Sequence, residues 1–182
     1  MSLRPPVGPE DHALGRADAP VTLVEYGDYE CPHCGRAHPI VKRVLKRLGA
    51  DVRFVFRNFP LGELHPHAVD AAKAAEAAGL QGEFWRMHDR LFEHQAALRH
   101  PDLVAHAKHL GLDAARFARD LESDAIEERV RSDFSSGARS GVNGTPTFFI
   151  DGVRFDESWD EESLAEALRR ASHSKSHTRS GT

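Results

Sequence analysis

The chain has 182 residues, 40% of them hydrophobic and 29% charged, with a formal net charge of -4. That length holds one domain with an elaboration and a real core, and the mild acidity gives no electrostatic reason to expect nucleic acid as a partner. No apolar run approaches the roughly 18–20 residues of a membrane span, so membrane insertion is not expected either.

Residues 1–13 read as a flexible lead-in, because Pro5, Pro6 and Pro9 interrupt any regular pattern. The first twenty residues carry several charges and no apolar core of the signal-peptide kind. As written, the sequence is expected in the cytoplasm; a leader removed beforehand would place it in the periplasm or another extracytoplasmic space. Ala19-Pro20 favours extended backbone and sets up a first strand, Val21–Tyr26, a β-branched run that turns at Gly27-Asp28.

Next comes Cys31-Pro32-His33-Cys34, which holds both cysteines of the chain one helical turn apart. Pro32 suits the first position of a helix. Ile40, Val41, Val44, Leu45 and Leu48 then recur at helical spacing, and Gly49 stops the run. The pair therefore stands at a strand-to-helix junction, where first-turn N–H groups and the helix dipole favour thiolate over thiol. It can exist as dithiol or disulfide. Half of a zinc site, completed by His65 and His67, is the alternative reading. A purely structural bridge over so short a loop would constrain the unfolded chain little. Asp28, Tyr29 and His38, which flank the motif, read as solvated surface.

Glu25 interrupts a strand otherwise built of Val and Leu, and a carboxylate there is costly without a partner or a task. Arg57 is its candidate charge partner; an edge-exposed Glu25 is the plain alternative. Val52–Arg57 alternates in strand fashion, with Val52, Phe54 and Phe56 on one face and Arg53, Val55 and Arg57 on the other. Strand, helix and strand make a βαβ unit, which predicts parallel pairing of the two strands.

From about residue 66 to 140 helical signals replace strand signals. His65-Pro66-His67 reads as a helix start, and Ala68–Ala78 ends at Gly79. Phe84, Met87, His88, Leu91 and Phe92 form a second stripe; Leu103, Ala107 and Leu110 form a third between Pro101-Asp102 and Gly111. Asp113 caps a short helix with Phe117 and Leu121, and Ile126, Val130, Phe134 and Ala138 form the last stripe before Gly141. These stripes, with Phe84, Trp85 and Phe92, read as core. Gly144–Ile150 returns to strand, Asp151-Gly152 turns it, and Val153–Phe155 completes a hairpin. Ser158 or Asp160 caps a final helix facing inward with Leu164, Ala167, Leu168 and Ala171. Residues 172–182, rich in Ser, His, Lys and Arg, are expected to be disordered.

In this order the chain resembles the thioredoxin fold and, within it, the DsbA-like thiol-disulfide oxidoreductases. The likeness rests on Cys31-Pro32-His33-Cys34, on Gly144-Thr145-Pro146-Thr147-Phe148-Phe149-Ile150, and on the helical insert between them. It covers residues 14–171 as a single domain and implies an α/β thioredoxin fold with a helical insertion between the βαβ and ββα halves.

The resemblance also implies a cis peptide between Thr145 and Pro146, in a loop against the active-site disulfide whose backbone would bind an extended client strand. It makes Cys31, exposed at the helix start, the attacking sulfur and Cys34 the resolving one. His33 would polarise the Cys31 thiolate, and the Pro32-His33 dipeptide matches oxidising members of the family. Glu25 stands where relatives carry an acidic group beneath the active site and would relay protons to Cys34. No metal and no cofactor beyond the redox-active disulfide are implied. The partners would be client proteins with thiols or disulfides and an unidentified redox partner. The function expected is a thiol-disulfide oxidoreductase, a DsbA-like oxidase or, in a reducing cytoplasm, an isomerase or reductase. Two rivals stay open: a redox-sensing or client-binding module without turnover, and a metal-binding protein using Cys31, Cys34 and histidines.

Overall fold

β-Branched and apolar side chains bury almost the whole of β2 (Val21–Gly27), which is the middle strand of five. In this computed structural model the backbone of residues 1–179 and the side chains of residues 1–174 are described. The chain divides into two units. One contains Met1–Tyr26, Arg36–Arg57 and the chain from Ser136 onward; the other contains Gly27–Gly35 and Asn58–Ser135.

The first unit is a sheet of order β1-β3-β2-β4-β5, with β1 at His12–Leu14, β3 at Val52–Asn58, β4 at Thr147–Ile150 and β5 at Val153–Phe155. Strands β2 and β4 run antiparallel in a register from Leu23↔Ile150 to Tyr26↔Thr147. The turn from β4 to β5 puts Asp151 and Gly152 at φ 49° and 79°. Positive φ at both central residues matches the twist of the flanking strands and suits an Asp-Gly pair. This unit also includes most of α1 (Pro32–Leu48) and α7 (Glu161–Arg179), tied together by Arg43–Glu161 and Arg47–Glu162 ion pairs. Of the two cap candidates Asp160 takes the role, since its Oδ1 accepts the N–H groups of Glu162 and Ser163 at 3.1 and 3.0 Å.

Both chain ends of this unit depart from expectation. The lead-in is tied down: β1 pairs with β3 from His12↔Phe56 to Leu14↔Phe54, Ser2 bridges Val153, and Leu3 N–H donates to Gly152 O at 2.8 Å. The carbonyls of Pro5 and Pro6 accept from the Arg57 guanidinium. A three-residue strand has no period to read, and its partners lie far along the chain. At the other end, residues 172–179 continue α7 instead of fraying, because no Gly or Pro stops a helix already nucleated. Residues 180–182 lie outside the described residues.

The second unit contains α2 (Ala68–Gly79), α3 (Phe84–Glu93), α4 (His100–His109), α5 (Ala114–Leu121) and α6 (Asp124–Arg139) as far as Ser135. Helix α5 is capped as expected, with Asp113 accepting from Arg116 N–H at 2.9 Å. Helix α6 differs from its expected stripe. Phe134 is 38% exposed and stacks on Phe59 with ring centroids 4.3 Å apart, while Asp133 is buried. Asp133 Oδ2 accepts the N–H and the side-chain amide of Asn58 at 2.9 and 3.2 Å. A polar side chain with dedicated partners is buried here, and a hydrophobic period cannot register it. Among the described residues no helix is long and apolar enough to cross a membrane.

Candidate redox site

Helix α1 begins at Pro32, which makes Cys31 its cap residue and sets Cys34 one turn inside. Gly35 N–H donates to Cys31 O at 3.0 Å and closes the first turn. The backbone N–H of Asp28 points at Cys34 Sγ across 3.5 Å, a donor that favours negative charge on that sulfur.

The Asp28 carboxylate holds the loop in front of the helix. Its Oδ1 accepts the N–H groups of Glu30 and Cys31 at 2.8 and 3.2 Å, and its Oδ2 accepts Leu61 N–H at 2.9 Å and His65 Nδ1–H at 2.7 Å. Gln95, which sequence reading did not single out, donates through Nε2 to the carbonyls of Tyr29 and Cys31 at 2.8 and 2.9 Å. The Tyr29 hydroxyl meets His88 Nδ1 at 3.0 Å, with its ring against Phe92.

This clamp overturns two expectations. Cys31 is only 3% exposed and Cys34 is fully buried, whereas the exposed residues of the motif are Pro32 and His33. Asp28, Tyr29 and His38 are buried as well. The carboxylate and Gln95 draw the loop inward, so the cap residue of the helix is not its outermost one. One signal was available: Asp three residues before the helix-cap cysteine is the spacing of a side chain that turns back on its own backbone N–H groups. Gln95 gave none, since it lies 64 residues from Cys31.

His65 also belongs to this loop. Burial works against a charge on its ring, but the hydrogen bond and negative charge of Asp28, with smaller effects from Cys31 and Glu30, raise its pKa above the ordinary histidine value. His67 stands immediately before α2, where its N–H donates to Glu30 Oε2 at 2.6 Å.

In the sheet unit, Glu25 sits opposite Phe148 in the β2–β4 ladder and is 2% exposed. Its Oε1 has no hydrogen-bond partner among the described residues, and burial pushes its pKa up to about 8. Arg57 is not its charge partner. The guanidinium is taken by Asp11, at 2.8 and 2.9 Å, by the Tyr26 hydroxyl at 2.9 Å and by the Pro5 and Pro6 carbonyls. The N-terminal residues, tied down rather than loose, supply that competing carboxylate. An edge-exposed Glu25 is likewise overturned, because β2 is an interior strand.

The Thr145–Pro146 peptide is cis and leads directly into β4, with Thr147 Oγ1 donating to Gly144 O at 2.7 Å. Of the residues singled out from sequence, Cys31, Pro32, His33 and Cys34 lie in the helical unit; Glu25, Thr145 and Pro146 lie in the sheet unit.

A family model described as thioredoxin matches residues 8–170. Among solved structures, a thioredoxin-like oxidoreductase from Silicibacter pomeroyi DSS-3 superposes with a TM-score of 0.81 at 29% identity, covering 90% of this chain and 93% of its own. BdbD from Bacillus subtilis, in its oxidised form, gives 0.77 at 25% identity over 90% and 93%. DsbA2 from Pseudomonas aeruginosa gives 0.71 at 27% identity over 89% and 94%. Curated relatives include a protein of Salinispora arenicola named Na(+)/H(+) antiporter NhaA 1, 46% identical over 94% of this chain. Another, from Herminiimonas arsenicoxydans, named Na(+)/H(+) antiporter NhaA, is 44% identical over 96%. The chain spans 26% and 28% of the lengths of these two relatives.

Proposed function

This chain belongs to the thioredoxin family, with DsbA-like thiol-disulfide oxidoreductases as structural neighbours, and from that premise we propose that it exchanges disulfides with protein clients through Cys31 and Cys34. The observation that carries the reading is the placement of Cys31 as the cap residue of α1 and of Cys34 in its first turn, with a backbone N–H on Cys34 Sγ. In the oxidising direction a client thiolate attacks Cys31, the Cys31–Cys34 bond breaks, and Cys34 leaves as a thiolate that takes up a proton. A second client thiolate then attacks the client sulfur of the mixed disulfide and releases Cys31. The client loses two electrons and two protons, and the Cys31–Cys34 pair gains them.

In this reading His33, exposed in the first turn, assists the Cys31 thiolate, and Pro32 starts the helix that presents it. Glu25 is the proton relay to Cys34: its pKa of about 8 lets it hold or release a proton near neutral pH. Thr145 and Pro146 supply the backbone along which an extended client strand lies. No metal or added cofactor is required. A redox partner resets the pair, and the compartment decides direction, oxidase where thiols are oxidised and isomerase or reductase in a reducing cytoplasm.

The test is catalytic reduction of insulin together with reoxidation of a reduced, unfolded client. Cys31→Ser is expected to abolish both; Cys34→Ser is expected to accumulate a mixed disulfide. An intact, titratable dithiol without turnover in either assay favours the redox-sensing module instead, and stoichiometric zinc lost in Cys31→Ser favours the metal-binding reading. Glu25→Gln is expected to slow exchange between pH 6 and 8; unchanged rates there remove the relay. The relatives named as antiporters favour a second reading in which the client is a surface of a membrane transporter. The mixed disulfide trapped by Cys34→Ser, identified by mass spectrometry, distinguishes that client from others.

A further inference from the structure

The carboxylate that clamps the Cys31 loop creates an electrostatic problem for the reaction. Asp28 is fully buried and accepts the N–H of Cys31 itself. A buried negative charge bonded to the backbone N–H of the residue whose sulfur must become a thiolate raises the cost of that thiolate. Glu30, beside it, adds a second carboxylate, whose Oε2 accepts His67 N–H. The dipole of α1 favours the thiolate, and Asp28 and Glu30 oppose it.

His65 is placed to cancel that opposition. Its Nδ1–H donates to the same Asp28 carboxylate that holds Cys31 N–H, at 2.7 Å, and its side chain is 19% exposed. We propose that His65 is a charge-compensating positioning residue: its imidazolium neutralises Asp28, so that the carboxylate anchors the Cys31 loop without penalising the Cys31 thiolate. The proposal rests on the reading of Cys31 as the attacking sulfur. The charges His65 faces are those of Asp28, Cys31 and Glu30, and together they outweigh burial and favour the imidazolium.

The exchange chemistry is unchanged by this role. When the second client thiolate displaces Cys31 from the mixed disulfide, the electron pair of the breaking S–S bond goes to Cys31 Sγ, and its negative charge forms beside the Asp28–His65 pair. A neutral pair makes Cys31 the better leaving group, and the disulfide form the stronger oxidant.

The experiment reads Cys31 alone, by the pH dependence of its alkylation with iodoacetamide in the Cys34→Ser background, for His65→Gln, His65→Lys, Asp28→Asn and the His65→Gln/Asp28→Asn double variant. His65→Gln is expected to raise the alkylation midpoint by about one pH unit, a tenfold loss of thiolate. His65→Lys, which keeps the charge, is expected to hold the midpoint near that of His65 protein. The double variant, which removes both charges, is expected to return towards it, a non-additivity that a loss of loop structure would not produce. With Cys34 intact, His65→Gln is expected to shift the equilibrium with glutathione about tenfold towards the disulfide, about 30 mV.

A midpoint unmoved in His65→Gln, or a double variant as far shifted as His65→Gln, overturns the proposal. Urea midpoints of each variant separate unfolding from the electrostatic effect. Alkylation needs no client, so wild-type protein inactive both in insulin reduction and in client reoxidation, with these shifts present, would end the exchange reading and leave the Asp28–His65 role standing.

Discussion

Glu25 and Asp28 stand three residues apart in the chain, both are carboxylates, and both are buried, yet the structure treats them in opposite ways. Asp28 in the helical unit receives four N–H donors, from Glu30, Cys31, Leu61 and His65. Glu25 in the sheet unit has an oxygen without a partner among the described residues, and burial alone lifts its pKa to about 8. Burial does not by itself assign a carboxylate its role. A loop has unspent backbone N–H groups to offer, so its carboxylate becomes an anchor; a central strand has committed its own to the ladder, so its carboxylate lacks such donors and burial raises its pKa.

The largest expected effect tests the anchor. Asp28→Ala strands the N–H groups of Glu30 and Leu61, leaves Cys31 N–H only the Asp28 carbonyl at 3.2 Å, and is expected to cost about 3–5 kcal/mol of stability, read from urea midpoints. A loss below about 1 kcal/mol would erase the contrast with Glu25.

The next effect tests the raised pKa of Glu25. The folded protein holds the Glu25 proton more tightly than the unfolded chain does, since its pKa is raised from 4.5 to about 8. Stability from this group is therefore fully present below about pH 4.5 and is lost as pH rises towards 8, with a slope of up to about 1.4 kcal/mol per pH unit. Glu25→Gln is expected to remove that component, so the wild-type and variant urea midpoints diverge between pH 5 and 8. Parallel curves would mean that Glu25 ionises as an ordinary carboxylate.

Two smaller effects sharpen the boundary of each region. Gln95→Ala removes both donors to the Tyr29 and Cys31 carbonyls and is expected to cost about 1–2 kcal/mol, with faster amide exchange at Cys31 and Gly35. In the sheet unit the Tyr26 hydroxyl is shared between Ser136 Oγ at 2.8 Å and Arg57 at 2.9 Å. Ser136→Ala removes one of these two bonds and is expected to cost about 1 kcal/mol, visible as a small drop in Tm.

Much of the architecture was legible in the chain. Regular elements announce themselves through local period and punctuation: Ala68–Gly79, Phe84–Glu93, Ala114–Leu121 after Asp113, and the Asp151-Gly152 hairpin all stand where spacing placed them. The two cysteines, one helical turn apart after a strand, placed Cys31 at the start of α1 for the same reason.

What the chain did not display were relations between residues far apart. β1 is three residues long and exists through its ladder with β3. Arg57 reads in the sequence as the partner of Glu25, and the folded path of residues 1–11 gives it to Asp11 instead. The α6 stripe misplaced Phe134 because burial of Asp133 depends on Asn58, 75 residues away. Cys31 reads as exposed from its place in a helix and is buried because Asp28 and Gln95 pull its loop inward.

The sequence by itself determined most of the regular elements, their order and the place of Cys31 and Cys34 at a strand-to-helix junction, because short-range periodicity and residue type suffice for these. Only the tertiary structure decided which buried charge meets a donor, since hydrogen-bond partners are supplied across tens of residues by chain segments that share no local signal. Thus Glu25 was left without Arg57, and Asp28 was given to His65 and the Cys31 loop.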